Sequence, residues 1–201
     1  MLLFEAPQRE LFGAGDVVWP ATLALSRLVI HCPSFVAGLD VLEMGAGLGL
    51  PSCAAAAAGA RSVTVTDKDD ELLLLARRSV TINLTPLQQQ QPACSIHAVR
   101  ADLTRLPGDW PSSPVDVVLA SDVLFSDALA AAAADVIAHY LLAARPQERS
   151  RVLPRALFAD PKQRPHREVF SARCAALGLE CQVTDLPGPE DCALLCVTPA
   201  A

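Results

Sequence analysis

Residues 41–60, VLEMGAGLGLPSCAAAAAGA, constrain the fold more tightly than any other stretch of this chain. The short apolar run over 39–44 has the composition of a buried strand. It carries one acid, Glu43, and three glycines follow on alternate positions, Gly45, Gly47 and Gly49. A helix-forming segment comes next, from Leu50 to Ala58, and Gly59 supplies a left-handed cap cheaply. Residues 61–66, RSVTVT, are β-branched and run into Asp67, so they read as a second strand. The unit is strand, helix, strand. Gly45 and Gly47, with no Cβ in the way, allow a tight turn and the close approach of a ligand to the backbone.

The same alternation continues along the chain. DKDDELLLLARRSVTINL opens with acids, which suit the dipole of a first helical turn, and continues with helix formers. Strands are predicted at 95–100, 114–121 and 151–158, the last with an irregular start at Pro154. Helices are predicted from Asp127 to Ala144 and from Pro165 to Leu177, the second closed by Gly178. Two final strands, 180–186 and 191–197, are separated by PGPE and read as an antiparallel hairpin. Residues 85–94 form a loop whose glutamine run is compositional and carries no function. The expected fold is α/β: a doubly wound, Rossmann-like, seven-stranded and mostly parallel sheet with an antiparallel edge strand from the C-terminal hairpin. Residues 1–18 are an N-terminal appendage, and 19–201 a single domain opened by the helical WPATLALSRLVI, with Pro20 in its first turn.

At 201 residues one domain is expected, and a net charge of −6 argues against a nucleic-acid partner. The seven cysteines are odd in number and form no CxxC pair. Six of them (Cys53, Cys94, Cys174, Cys181, Cys192 and Cys196) fall in or beside apolar segments, as small buried hydrophobes do in a reducing compartment. MLLFEAPQRE lacks the pattern of a secretory or transit leader, and no apolar run reaches membrane-spanning length. A cytoplasmic protein without a membrane partner is expected. His31, His97, His139 and His166 lack metal-ligand spacing, so no metal is expected.

In such a fold a ligand sits outside the carboxyl ends of the strands. The glycine pattern here is G-x-G-x-G, unlike the G-x-G-x-x-G that cradles a pyrophosphate. Glu43, two residues ahead of the first glycine, would repel a phosphate and favour a cationic ligand. S-adenosylmethionine fits: it has a sulfonium, an ammonium and a ribose diol, and no phosphate. Asp67 lies about 20 residues past the glycines, where an acid accepts hydrogen bonds from a ribose diol. Its alternative role is the N-cap of the helix that follows.

E-x-G-x-G-x-G at the end of a first strand resembles motif I of the class I, seven-β-strand methyltransferases. VVWPA at 17–21 and SDVLF at 121–125 narrow the likeness to methyltransferase family 16, which consists mainly of protein-lysine methyltransferases. The resemblance spans about 17–145. LFADPKQRPHREVF, 157–170, is similar to the Asp-Pro-x-x-Arg segment of the branch that includes the lysine methyltransferase of electron-transfer flavoprotein β. The resemblance implies S-adenosylmethionine as cofactor, held by Trp19, Glu43, Gly45, Gly47, Gly49, Asp67, Asp102 and Ser121. It places Asp102 at the adenine amino group, with a plain turn residue as the alternative. It implies a protein lysine as acceptor, with Asp122 and Phe125 as the catalytic pair. Asp122 would position the amine and Phe125 would shape its channel. Phe125 stands where the family usually has tyrosine, so any role needing a hydroxyl there is lost. Core packing is the alternative for Phe125, and helix anchoring for Trp19. The basic residues of DPKQRPHR suit an acidic protein face or a solvated loop.

Three other functions compete. One is a small-molecule N- or O-methyltransferase, because fold and cofactor do not fix the acceptor. Another is a non-catalytic module that binds S-adenosylmethionine or a partner. An NAD-binding oxidoreductase is disfavoured by Glu43, by the glycine spacing and by the lack of a Tyr/Lys or Cys/His set.

Overall fold

Side chains alternate across a strand, so each strand of a sheet covered by helices must be apolar on both faces. The first strand, β1 (Asp40–Met44), shows this directly. Val41 packs into one core cluster, while Leu42 and Met44 pack into the other. The computed structural model describes residues 17–84, 94–105, 110–143 and 153–200. The 1–16 part of the N-terminal appendage and the glutamine run lie outside them.

The elements follow in the order α1 (Pro20–His31), a short 3-10 turn (Pro33–Phe35), β1, α2 (Leu50–Ala57), β2 (Ser62–Asp67) and α3 (Asp70–Leu84). Then come β3 (Ser95–Arg100), β4 (Val117–Ser121), α4 (Asp127–Leu141), β5 (Arg155–Pro161), α5 (Arg167–Ala176), β6 (Leu179–Asp185) and β7 (Cys192–Pro199). The seven strands form one sheet in the order β3-β2-β1-β4-β5-β7-β6. β1 to β5 are parallel, and β7 is antiparallel to both of its neighbours. Helices α1, α2 and α3 cover one face, packed through Leu25, Val29, Cys53, Ala76 and Val80. Helices α4 and α5 cover the other, through Ile137, Phe170 and Cys174. Ser126 caps α4 by accepting the Leu129 N–H at 3.2 Å.

Two expectations change in detail. The antiparallel strand is not the edge: β7 inserts between β5 and β6. Its buried Ala193, Leu195 and Val197 need neighbours on both sides, whereas β6 exposes Glu180, Gln182, Val183 and Thr184 and suits an edge. β5 begins after Pro154, which has no N–H to donate, and runs on to Pro161 because Ala159 and Asp160 still pair with Leu194 and Ala193 of β7. Asp160 therefore lies in a strand and is fully buried.

From β1 the chain steps outward to β2 and β3, then returns to the other side of β1 as β4 and β5. The order reverses between β1 and β4, whose ends meet with Met44 opposite Ala120. The carboxyl ends of strands on either side of such a reversal form a crevice.

Candidate active site

β1 runs straight into the glycine turn, and β2 holds that turn in place. The Ala46 N–H donates to the Thr66 carbonyl at 2.9 Å, and the Thr66 hydroxyl donates to the Glu43 carbonyl at 2.6 Å. Asp67, at the end of β2, accepts the Gly47 N–H through Oδ2 at 2.9 Å. Its Oδ1 accepts the Asp69 N–H at 3.0 Å. Each carboxylate oxygen keeps a second lone pair for a ligand. The N-terminus of α3 is capped by Asp69, which accepts from Glu71 at 2.8 Å and Leu72 at 3.2 Å. The helix cap proposed as the alternative role of Asp67 is thus taken by its neighbour.

A cleft of about 660 Å³ opens above these strand ends. Its lining follows the sheet order. Asp102, Leu103 and Thr104 follow β3, Asp67 and Lys68 close β2, and Gly45, Ala46 and Gly47 follow β1. Ser121, Asp122 and Phe125 follow β4, and Arg164 follows β5. Trp19 and Thr22 at the start of α1 close the near side, and the Thr22 and Ser121 hydroxyls lie 3.0 Å apart. Asp102 makes a local turn, with Oδ1 accepting from the Thr104 N–H at 2.9 Å and the Thr104 hydroxyl at 2.8 Å. Those bonds hold its carboxyl below its ordinary pKa. Asp102 is both a turn residue and part of the cleft wall.

The β4 end is arranged around Asp122. This residue has φ +55°, in the left-handed region that aspartate and asparagine tolerate better than most side chains. Its N–H donates to the Ala159 carbonyl at 3.0 Å, and its Oδ1 accepts from Arg164 Nη2. Arg164 Nε also lies 3.5 Å from Asp160 Oδ1, within ion-pair range.

The protein-family model for lysine methyltransferases matches residues 3–150. The chain belongs to the lysine methyltransferase family. A curated protein N-terminal and lysine N-methyltransferase of Cryptococcus neoformans var. neoformans serotype D is 29% identical over 114 residues. That match covers 56% of this chain, which spans only 38% of the relative's length. Among solved structures, the N-methyltransferase NodS of Bradyrhizobium japonicum, in complex with S-adenosyl-L-homocysteine, superposes with a TM-score of 0.64 at 16% identity. The likeness covers 96% of each chain. A methyltransferase of Pyrococcus furiosus gives 0.64 at 16% identity, covering 88% of this chain and 82% of the other.

In this member of the lysine methyltransferase family, Trp19, Gly45, Gly47, Asp67, Asp102, Ser121, Asp122 and Phe125 all line one cleft. Phe125 is 58% exposed, so it is a wall of the mouth and not core packing. Two expected cofactor residues lie elsewhere. Glu43 is 1% exposed and does not line the cleft, because strand alternation puts it on the Val41 face, beneath α2. There it accepts the Ser52 N–H at 2.9 Å and the Ser52 hydroxyl, and so caps the α2 N-terminus from below. Burial raises its pKa to about 8, against the pull of the Ser52 bonds. Glu43 is therefore mostly protonated at neutral pH, and the charge repulsion that argued against a phosphate cannot come from it. That argument passes to Asp67, Asp69 and Asp102 on the cleft wall.

Gly49, the N-cap of α2, is the second correction. Its φ is +74°, and a Cβ there would stand 2.9 Å from Ala76 Cβ and 3.2 Å from its Cα. The close approach that requires this glycine is to α3, not to a ligand.

Thr22 and Arg164 were missed as site residues. Thr22 sits three residues after Trp19 on α1, a spacing that puts both on one helix face. Arg164 was read as part of an outward basic loop, whereas it turns inward to two acids. The i, i+4 pair Asp160–Arg164, which is also the Asp and Arg of the Asp-Pro-x-x-Arg segment, is the local trace of this. Among the described residues no three His, Cys, Asp or Glu side chains are grouped to hold a metal. No described helix is long and apolar enough to cross a membrane.

Proposed function

We propose that this chain is an S-adenosylmethionine-dependent methyltransferase whose acceptor is a lysine side chain of a protein. The cleft wall carries the reading: four aspartates against one lysine and one arginine, at the carboxyl ends of the strands beside a glycine turn. That set of acceptors fits a phosphate-free, cationic ligand with a diol. Asp67 would accept from the ribose hydroxyls, and Asp102 would meet the adenine amino group. Gly45 and Gly47 give room beside the backbone, and Trp19 and Ser121 would flank the bound molecule.

S-adenosylmethionine supplies a methyl carbon on a sulfonium: the amine lone pair forms the N–C bond as the C–S bond breaks onto sulfur, and the methylated ammonium loses a proton to water. The chain's own task is alignment, because the leaving group is good. Asp122 orients the incoming amine through an N–H···O bond. Phe125 forms an apolar wall that favours the neutral amine over the ammonium. A protein acceptor suits the exposed aromatics at the mouth, Trp19 at 40% and Phe125 at 58%. A cytoplasmic location belongs to this reading, and the seven unpaired cysteines suit a reducing compartment.

Incubation with methyl-labelled S-adenosylmethionine and a cell lysate tests it. A labelled protein band supports the proposal. A labelled small molecule with no band replaces it with the small-molecule reading, and no label at all with a binding module.

A further inference from the structure

Methylating an amine poses a charge problem at the acceptor end. A free carboxylate beside the transfer point stabilises an ammonium, which has no lone pair to react, and holds the donor's sulfonium more tightly than the neutral thioether product. Asp122 lies there, but it is not free. Its Oδ1 accepts from the Arg164 guanidinium, and both residues line the cleft.

We propose that Arg164 is a specificity-determining residue: paired with Asp122, it cancels the carboxylate's charge where donor and acceptor meet, so the site selects an uncharged amine. The inference rests on the S-adenosylmethionine reading above. Asp122 then acts as an oriented hydrogen-bond acceptor and not as a trap for cations.

The surroundings of Asp122 support this balance. From β5, the fully buried Asp160 lies behind Arg164, and neither of its oxygens has a hydrogen-bond partner. Burial is the main cause that lifts its pKa, to about 7, against the pull of the Arg164 guanidinium. From α5, Arg167 donates to the Pro161 carbonyl and adds a second cation. From β7, the Cys192 thiol is pushed above its ordinary pKa by burial first, then by Glu190, Asp160, Asp122 and Asp191, and stays neutral. Asp127 and His166 pair at 2.7 Å, and neither lines the cleft. The Arg164 guanidinium thus lies between Asp122 and the buried Asp160, and its contact with Asp122 is the charge pairing at this end of the cleft.

The test compares two ligands that differ by a methyl group and one charge. S-adenosylmethionine and S-adenosylhomocysteine are titrated calorimetrically into the wild-type protein and into R164Q, R164K, D122N and the D122N/R164Q double variant. Asparagine at 122 keeps the left-handed backbone accessible. R164Q unmasks the carboxylate, so the affinity ratio moves toward the sulfonium ligand by about tenfold, the size expected of one charge in a partly solvated site. D122N leaves an unpaired guanidinium and moves the ratio the other way. R164K and the double variant keep the wild-type ratio. If R164Q weakens both ligands equally and D122N does not shift the ratio, Arg164 is only structural and the proposal is overturned. If the wild-type protein binds neither ligand, the cofactor reading fails first and the proposal falls with it.

Discussion

Asp67 holds the Gly47 N–H at 2.9 Å, so the acid at the end of β2 sets the shape of the turn at the end of β1. The bond links two strands that are already paired side by side. It also spends only one of the lone pairs on that carboxylate. The same side chain can therefore shape the turn and receive a diol.

Asp67→Ala is expected to weaken S-adenosylmethionine about tenfold to a hundredfold, the worth of one charge-assisted hydrogen bond. Asp67→Asn keeps an acceptor for the Gly47 N–H but not its charge, and should fall between. Calorimetry on the three proteins checks the order, and equal affinities would remove Asp67 from the ligand site.

Gly49→Ala should destabilise the protein by about 2–4 kcal/mol, combining the left-handed backbone cost with overpacking against α3. Adding Ala76→Gly removes the 2.9 Å contact but keeps the 3.2 Å one to the Cα and puts a glycine inside α3, so measured against Ala76→Gly alone it should recover only part of the packing cost. Denaturant midpoints of the single and double variants measure this. Full recovery in the double variant would mean that the backbone angle costs nothing.

Glu43 gives a pH dependence of definite sign. Its carboxyl has a folded pKa of about 8 against an ordinary 4.5, with burial the largest cause. Between those values the folded chain binds a proton that the unfolded chain has released. Its contribution to stability is therefore full below the ordinary value and is lost as pH rises toward 8. Glu43→Gln should remove this term, so its stability relative to wild type should improve steadily over that window. Parallel stability curves for the two proteins would show that Glu43 does not titrate as described.

Phe125→Ala should leave thermal stability within about 0.5 kcal/mol, as expected for an exposed residue outside the core. It should nevertheless reduce label transfer to the acceptor, because the channel loses its wall. Phe125→Tyr should keep the wall and the transfer. A large loss of stability in Phe125→Ala would instead place the ring in the core.

The strand–turn–helix unit was legible because local signals agree there: an apolar run, closely spaced glycines, a helix former and a closing Gly59. The positions of Asp67 and Asp102 were legible for the same reason, Asp67 ending β2 and Asp102 lying two residues past β3 at the edge where ligands gather. Glu43 was misplaced although its orientation was written in the period of two. It shares a face with Val41, and a strand face covered by a helix hides an acid as readily as a valine. Arg164 was harder. Its partner Asp122 is 42 residues away in sequence, and only the adjacency of β4 and β5 brings them together. Charge composition suggested solvent for that loop, while two inward acids decide otherwise. Gly49 was assigned to the cofactor by resemblance, but the group that approaches it is Ala76 on α3, a long-range contact no local pattern encodes.

The most direct measurement is mass-spectrometric mapping of the methyl group after reaction of the protein, labelled S-adenosylmethionine and a cell lysate, with Asp67→Ala as control. The account predicts a methyl on a lysine Nζ of a protein, dependent on Asp67. Label found only on small molecules, or protein label unchanged in Asp67→Ala, would contradict it.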